Sequence, residues 1–101
     1  MAALTIVFWR DIPAQVTAKA GRRTVKSELP KRFMEAIDAA AMRSGATDTD
    51  AYLADWRRGA PAECADDLDA AITDAVTALD RAYDRARLQR LIAAGGVDAG
   101  G

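Results

Sequence analysis

Side chains able to do chemistry are scarce in this chain. It has no histidine and one cysteine, Cys64. The missing imidazole removes the commonest general base, the usual Ser-His-Asp relay and most catalytic zinc sites. A lone cysteine makes no intrachain disulfide, no CxxC pair and no closed zinc or iron–sulfur site. Cys64 stands near an expected helix start and reads as a small apolar residue there. Carboxylates crowd two stretches, DTD (48–50) and ADDLD (65–69). Both lack the glycine and the distal glutamate of a calcium loop, and both fall where a helix should begin, where acids cap and meet the positive helix end. No phosphate loop and no GxGxxG occurs, and the terminal glycines follow a helix instead of opening one. The reading is of no catalytic residue, no metal ligand set and no cofactor.

What remains is a basic front. Residues 1–45 hold eight Lys or Arg against four Asp or Glu, and residues 46–101 hold six against eleven. Trp9, Arg10 and Asp11 close an apolar run, and Lys19, Arg22, Arg23, Lys26, Lys31 and Arg32 follow. Guanidinium groups beside an indole can hold phosphate or stack a base. A sequence pI near 5.3 argues against a nucleic-acid binder. A surface for an acidic protein partner, a solvated face, or attraction between the two halves of the fold explains the asymmetry better. The candidate binding residues are therefore Trp9, Arg10, Asp11, Arg22, Arg23, Lys26 and Arg32. A purely local account of FWRDIPAQV competes with this. In it Trp9 covers the rim of the core and Arg10 pairs with Asp11 or with a helix acid, whereas in the docking account Trp and Arg are interface anchors.

These residues need elements to position them. Leu4–Trp9 is a continuous apolar run of branched and aromatic residues and reads as a buried strand, stopped at Arg10–Pro13. Gln15–Ala20 alternates and reads as its hairpin partner, with Ile12–Ala14 in the loop. Residues 24–29 are ambiguous. Val25, Leu29, Phe33 and Ile37 recur every four residues, which favours a turn or short helix, while RRTVK could add a third strand. Pro30 then opens a helix to about Ser44, and Gly45 ends it. Thr47 or Asp48 caps a short helix that carries Tyr52, Leu53 and Trp56 and closes at Arg57–Gly59. From Glu63 to Ala93 no Gly or Pro intervenes, which predicts one long helix with Leu68, Ile72, Val76, Leu79 and Tyr83 on its stripe. The expected fold is α+β: an N-terminal β-hairpin, with room for a third strand, packed on three helices. Residues 1–94 form one domain and 95–101 a flexible Gly-rich tail.

No apolar run approaches the length of a membrane helix, and no disulfide is available, so a cytoplasmic protein is expected. A bare hairpin leaves open strand edges, which invite a homodimer or a docked partner strand. The function expected from the residues is a non-catalytic interaction module, with nucleic-acid or phosphate binding by the basic half as the alternative.

The stretches WRDIPAQV, GRRTVKSELPKRFMEAIDAAAMRSG and TDTDAYLADWRRG closely resemble the virulence factor domain family, over roughly residues 4–92. The same domain resembles the middle of conserved virulence factor C, where it lies between an Nfu-type domain and HEAT-like repeats. The resemblance implies a role near pathogenicity, and an accessory role beside corrinoid and one-carbon enzymes or in iron–sulfur handling. It carries over no catalytic residue.

Overall fold

A computed structural model of the chain describes residues 2–45 and 48–97. Three strands follow one another in antiparallel order, β1 (Ala2–Trp9), β2 (Ile12–Ala20) and β3 (Arg23–Glu28). They are followed by α1 (Lys31–Ser44), α2 (Thr49–Ala54), the short strands β4 (Trp56–Arg58) and β5 (Ala62–Cys64), α3 (Leu68–Ala82) and α4 (Arg85–Ala93). The sheet order is β3-β2-β1, with β4 and β5 both pairing antiparallel along the outer side of β1.

The α+β class holds, and its details differ from the sequence reading. The hairpin is part of a five-stranded sheet, and four helices are present among the described residues. Residues 24–29 resolve as strand over most of their length, because Val25 pairs with Ala18 and Ser27 with Val16. Ile12–Ala14 is the start of β2 and not a loop. Trp56, Arg57 and Arg58 leave the helix for β4, and Cys64 lies in β5. The expected long helix is two: Tyr83 ends α3, and the Asp84 side chain accepts the Arg87 amide to open α4. Asp48 and Asp67 cap α2 and α3 in the same way, each such cap contributing about 1 kcal/mol. Thr47, the other candidate cap of α2, lies outside the described residues. Pro30 occupies the N-cap of α1, and Gly45 ends it in the left-handed region at φ 79°.

The core has two connected parts. Leu4 and Ile6 of β1 and Val16 and Ala18 of β2 pack on Leu68 and Ile72 of α3. Trp9, Ile12 and Ala14 pack on Phe33, Ile37 and Ala40 of α1 and on Leu88 and Leu91 of α4. Val76 and Leu79 of α3 touch both parts. Trp9 is out of step with Leu4 and Ile6, and the step falls at a register shift: Val7 faces Gln15, yet Phe8 faces Pro13, leaving Ala14 unmatched. A bulge re-aims side chains in this way. Pro13 is tolerated there because β3 has already ended, with its last partner at Gln15.

The alternate residues form the other face of the sheet. Glu63, Ala3, Lys19 and Thr24 lie in one cross-strand row, Thr5, Thr17 and Lys26 in the next, and Arg58, Val7, Gln15 and Glu28 in the third. Ala3 and Val7, the apolar members of this face, join neither part of the core.

Candidate functional site

Six of the seven predicted binding residues separate into two corners toward opposite ends of β2, a nine-residue strand spanning about 25–30 Å, and the seventh, Arg32, lies on α1. The first corner is the β1–β2 turn. Trp9 is completely buried, and its Nε1 donates to the Tyr52 carbonyl at 2.8 Å while the two rings stack 5.8 Å apart. It therefore belongs to the core; neither the rim position nor a role as an exposed anchor fits. Arg10 adopts φ 52°, the left-handed region, where a side chain costs about 1–2 kcal/mol. Its side chain holds the turn in place. Nε donates to Asp55 Oδ2 at 3.0 Å, Nη1 donates to the Gly95 carbonyl at 2.7 Å, and the guanidinium lies 4.7 Å from the Trp9 ring centroid. The Asp11 amide donates to the Gly96 carbonyl at 2.8 Å. Arg57 of β4 donates to the Arg10 carbonyl at 3.0 Å and to Asp11 Oδ1 at 3.2 Å.

One tight turn thus joins the end of α2, β4 and the end of α4. Gly95 and Gly96 are buried in it at φ 72° and 92°, and a Cβ on Gly96 would stand 2.8 Å from Trp9 Cζ3. The expectation of a loose tail from residue 95 fails at these two glycines; residues 98–101 lie outside the described residues. Arg32 is likewise committed inside the fold. It forms an ion pair with Asp80 and donates to the carbonyls of Asp80 and Tyr83, tying α1 to the last turn of α3.

The second corner is the β2–β3 turn and the strand that leaves it. Gly21 makes the turn at φ 61°, and Arg22 beside it is exposed. Arg23 reaches Asp69 at 3.5 Å, but both side chains are about two-thirds exposed (66% and 72%), so the pair contributes little. Lys26 is exposed on β3. Thr17 lies opposite it and Thr24 lies opposite Lys19, so the two lysines are diagonal neighbours on the uncovered face.

The sequence reading passed over a shallow groove of about 260 Å³ at the end of that face, lined by Val7, Ala14, Gln15, Glu28, Met34 and Trp56. Its members come from five elements, or the segments beside them, and no local pattern joins them. Trp56 carries a signal as a large aromatic, which places it in the core; it does pack half-buried against the Trp9–Phe33 part, from a strand and not a helix, and lines the groove as well. Tyr52 is the one described group whose titration is clearly displaced: burial pushes its hydroxyl above the ordinary value, and the negative charge of Asp38 adds to this. Among the described residues no group of three or more His, Cys, Asp or Glu comes together to hold a metal ion. The first corner binds its own backbone; the second can offer cations and strand amides to something else.

A family model described as "Virulence factor" matches residues 7–92. The chain belongs to this virulence factor family. No curated protein and no solved structure matches it. Among the described residues no helix is long and apolar enough to cross a membrane.

Proposed function

We propose that this virulence factor domain is a protein-interaction module that performs no chemistry of its own and docks through the edge of β3. The observation that carries the reading is the difference between the two sides of the sheet. On the β1 side, β4 and β5 are paired, each only three residues long, with Gly59–Pro61 between them. On the other side β3 ends the sheet order as a continuous six-residue strand. About half of its amides and carbonyls point away from β2, as in any antiparallel edge. Such an edge accepts a further strand, with backbone bonds giving affinity and side chains giving selectivity. Both edges of the hairpin, expected to be open, are covered: β2 by β3, and β1 by β4 and β5.

The setting proposed is that of an accessory protein in a larger assembly, of the one-carbon, corrinoid or iron–sulfur kind that the family resemblance implies. A photo-reactive residue in place of Thr24, compared in living cells with one in place of exposed Ala78 on α3, tests the docking edge. Discrete covalent adducts at Thr24 and none at Ala78 are expected. Equal labelling at both positions, or no adduct at Thr24, overturns the reading.

A further inference from the structure

Resting on that reading, we infer that the β3 edge takes an extended acidic segment of a partner protein, with two carboxylates four residues apart. The register supplies the pattern. Along β3, Lys26 and Glu28 lie on the uncovered face and Val25 faces α3, while Arg22 stands in the turn at the end of the strand. A strand added antiparallel would set one residue opposite Lys26, the next opposite Val25, and the fourth after the first opposite Arg22. Carboxylates fit the first and last of these positions, and an apolar residue fits the one beside Val25, where it would extend the α3-facing core. Cross-strand pairs of opposite charge stabilise a sheet, and like charges directly opposite destabilise it.

The same rule sets Glu28 against an acid at its own partner position, so the segment carries a basic or neutral residue there. Lys19, diagonal to Lys26, adds positive potential to the same patch. A second copy of this chain answers only one of the two cations, because the one carboxylate of its β3, Glu28, faces Arg22 when the pairing is centred on Val25 and Lys26 when it is centred on Ser27. An edge carrying lysine is protected against indiscriminate pairing. Here that protection also selects by sign.

The probe is a capped peptide, Lys-Thr-Glu-Val-Thr-Ser-Glu, titrated into the intact protein at low salt. Amide exchange is read along β3 and affinity by anisotropy of a labelled form. The expected result is protection confined to β3 amides. Lys26→Glu should weaken binding about tenfold, and a peptide with Lys at the facing position should restore it. Both effects should shrink as salt is raised.

Equal protection of β3 by a charge-reversed peptide overturns the acidic partner but leaves the edge reading standing. Absence of protection while Thr24 still cross-links in cells does the same. A Thr24 position that stays silent in cells removes both. Concentration-dependent protection of β3 without peptide overturns the inference in favour of self-pairing. A single-stranded oligonucleotide that binds without protecting β3, weakened alike by Lys19→Ala, Arg22→Ala and Lys26→Ala, overturns it in favour of a general polyanion surface. Lys26 is exposed and makes no core contact, so its variants should fold and each outcome can be read.

Discussion

The two ends of β2 both carry arginines and use them in opposite ways. At the β1–β2 turn Arg10 and Arg57 donate to carbonyls and carboxylates of the fold itself, and the indole beside them is buried. At the β2–β3 turn Arg22 and Lys26 stand in solvent, and Arg23 makes only a long, exposed ion pair. A cluster of basic and aromatic residues in a sequence therefore says little about binding until its acceptors are known. Where the chain returns three times to one turn, as α2, β4 and α4 do at Arg10, the cations become structural. Where nothing returns, they stay available.

The sharpest way to break this contrast is to truncate one residue at each end and measure denaturant unfolding. Trp9→Ala should cost about 3–5 kcal/mol, the usual range for deleting a fully buried large aromatic. Arg22→Ala should stay within about 0.5 kcal/mol. Similar losses at the two positions would mean that the second corner is also structural. The next largest effect belongs to Gly96→Ala, at about 2–4 kcal/mol. It combines left-handed strain at φ 92° with a Cβ 2.8 Å from Trp9 Cζ3. A near-neutral Gly96→Ala would show that the end of α4 does not lock onto the turn.

Arg10 separates side-chain bonding from backbone strain. Arg10→Ala keeps the strained φ 52° and loses the bonds to Asp55 and Gly95, a cost of about 1–3 kcal/mol. Arg10→Gly loses the same bonds but relieves the strain, so it should be the milder change by about 1 kcal/mol. Thermal or denaturant melts of the pair decide this, and an Arg10→Gly variant less stable than Arg10→Ala would contradict the geometry.

Local physics made much of this legible in the sequence. The β1 run, the alternation of β2, Pro30 and Gly45 as the ends of α1, and the acids at the starts of α2 and α3 all speak through neighbours in the chain. The parts that stayed hidden are long-range. Strands of three residues, as in β4 and β5, have no period to read; they exist because β1 offers an edge. The spacing Val25, Leu29, Phe33, Ile37 imitated a helix, although Val25 serves the α3 core and the other three serve the α1–α4 core. Asp84 did carry a signal, an acid three residues before Arg87 and able to cap, but the apolar stripe running through it masked the break. The uncovered face follows from cross-strand register alone, and its groove needs Met34 of α1 as well. Of the candidate residues, Arg22 and Lys26 are placed where a partner can reach them and Arg23 only behind a weak ion pair, while Trp9 and Arg32 hold the fold together.

The smallest effect sharpens the first corner through pH. Tyr52 stacks on Trp9 and meets Trp56 edge-on, and its hydroxyl titrates above the ordinary value of 10.0, first because burial disfavours the phenolate and then because of Asp38. Between the unfolded and folded values the native state holds a proton that the unfolded chain has lost. The stabilising contribution is therefore complete below pH 10 and declines as pH rises through the folded value. Tyr52→Phe keeps the ring and leaves the bond from Trp9 intact, because that bond is made to the Tyr52 backbone carbonyl. Unfolding curves of the two proteins should run parallel up to about pH 10 and then approach or cross, with the parent losing stability faster. Asp38→Asn should soften that loss without abolishing it, since burial is the larger cause. Parallel curves throughout would mean that Tyr52 is as solvated in the fold as in the unfolded chain, and the corner would then be looser than its hydrogen bonds require.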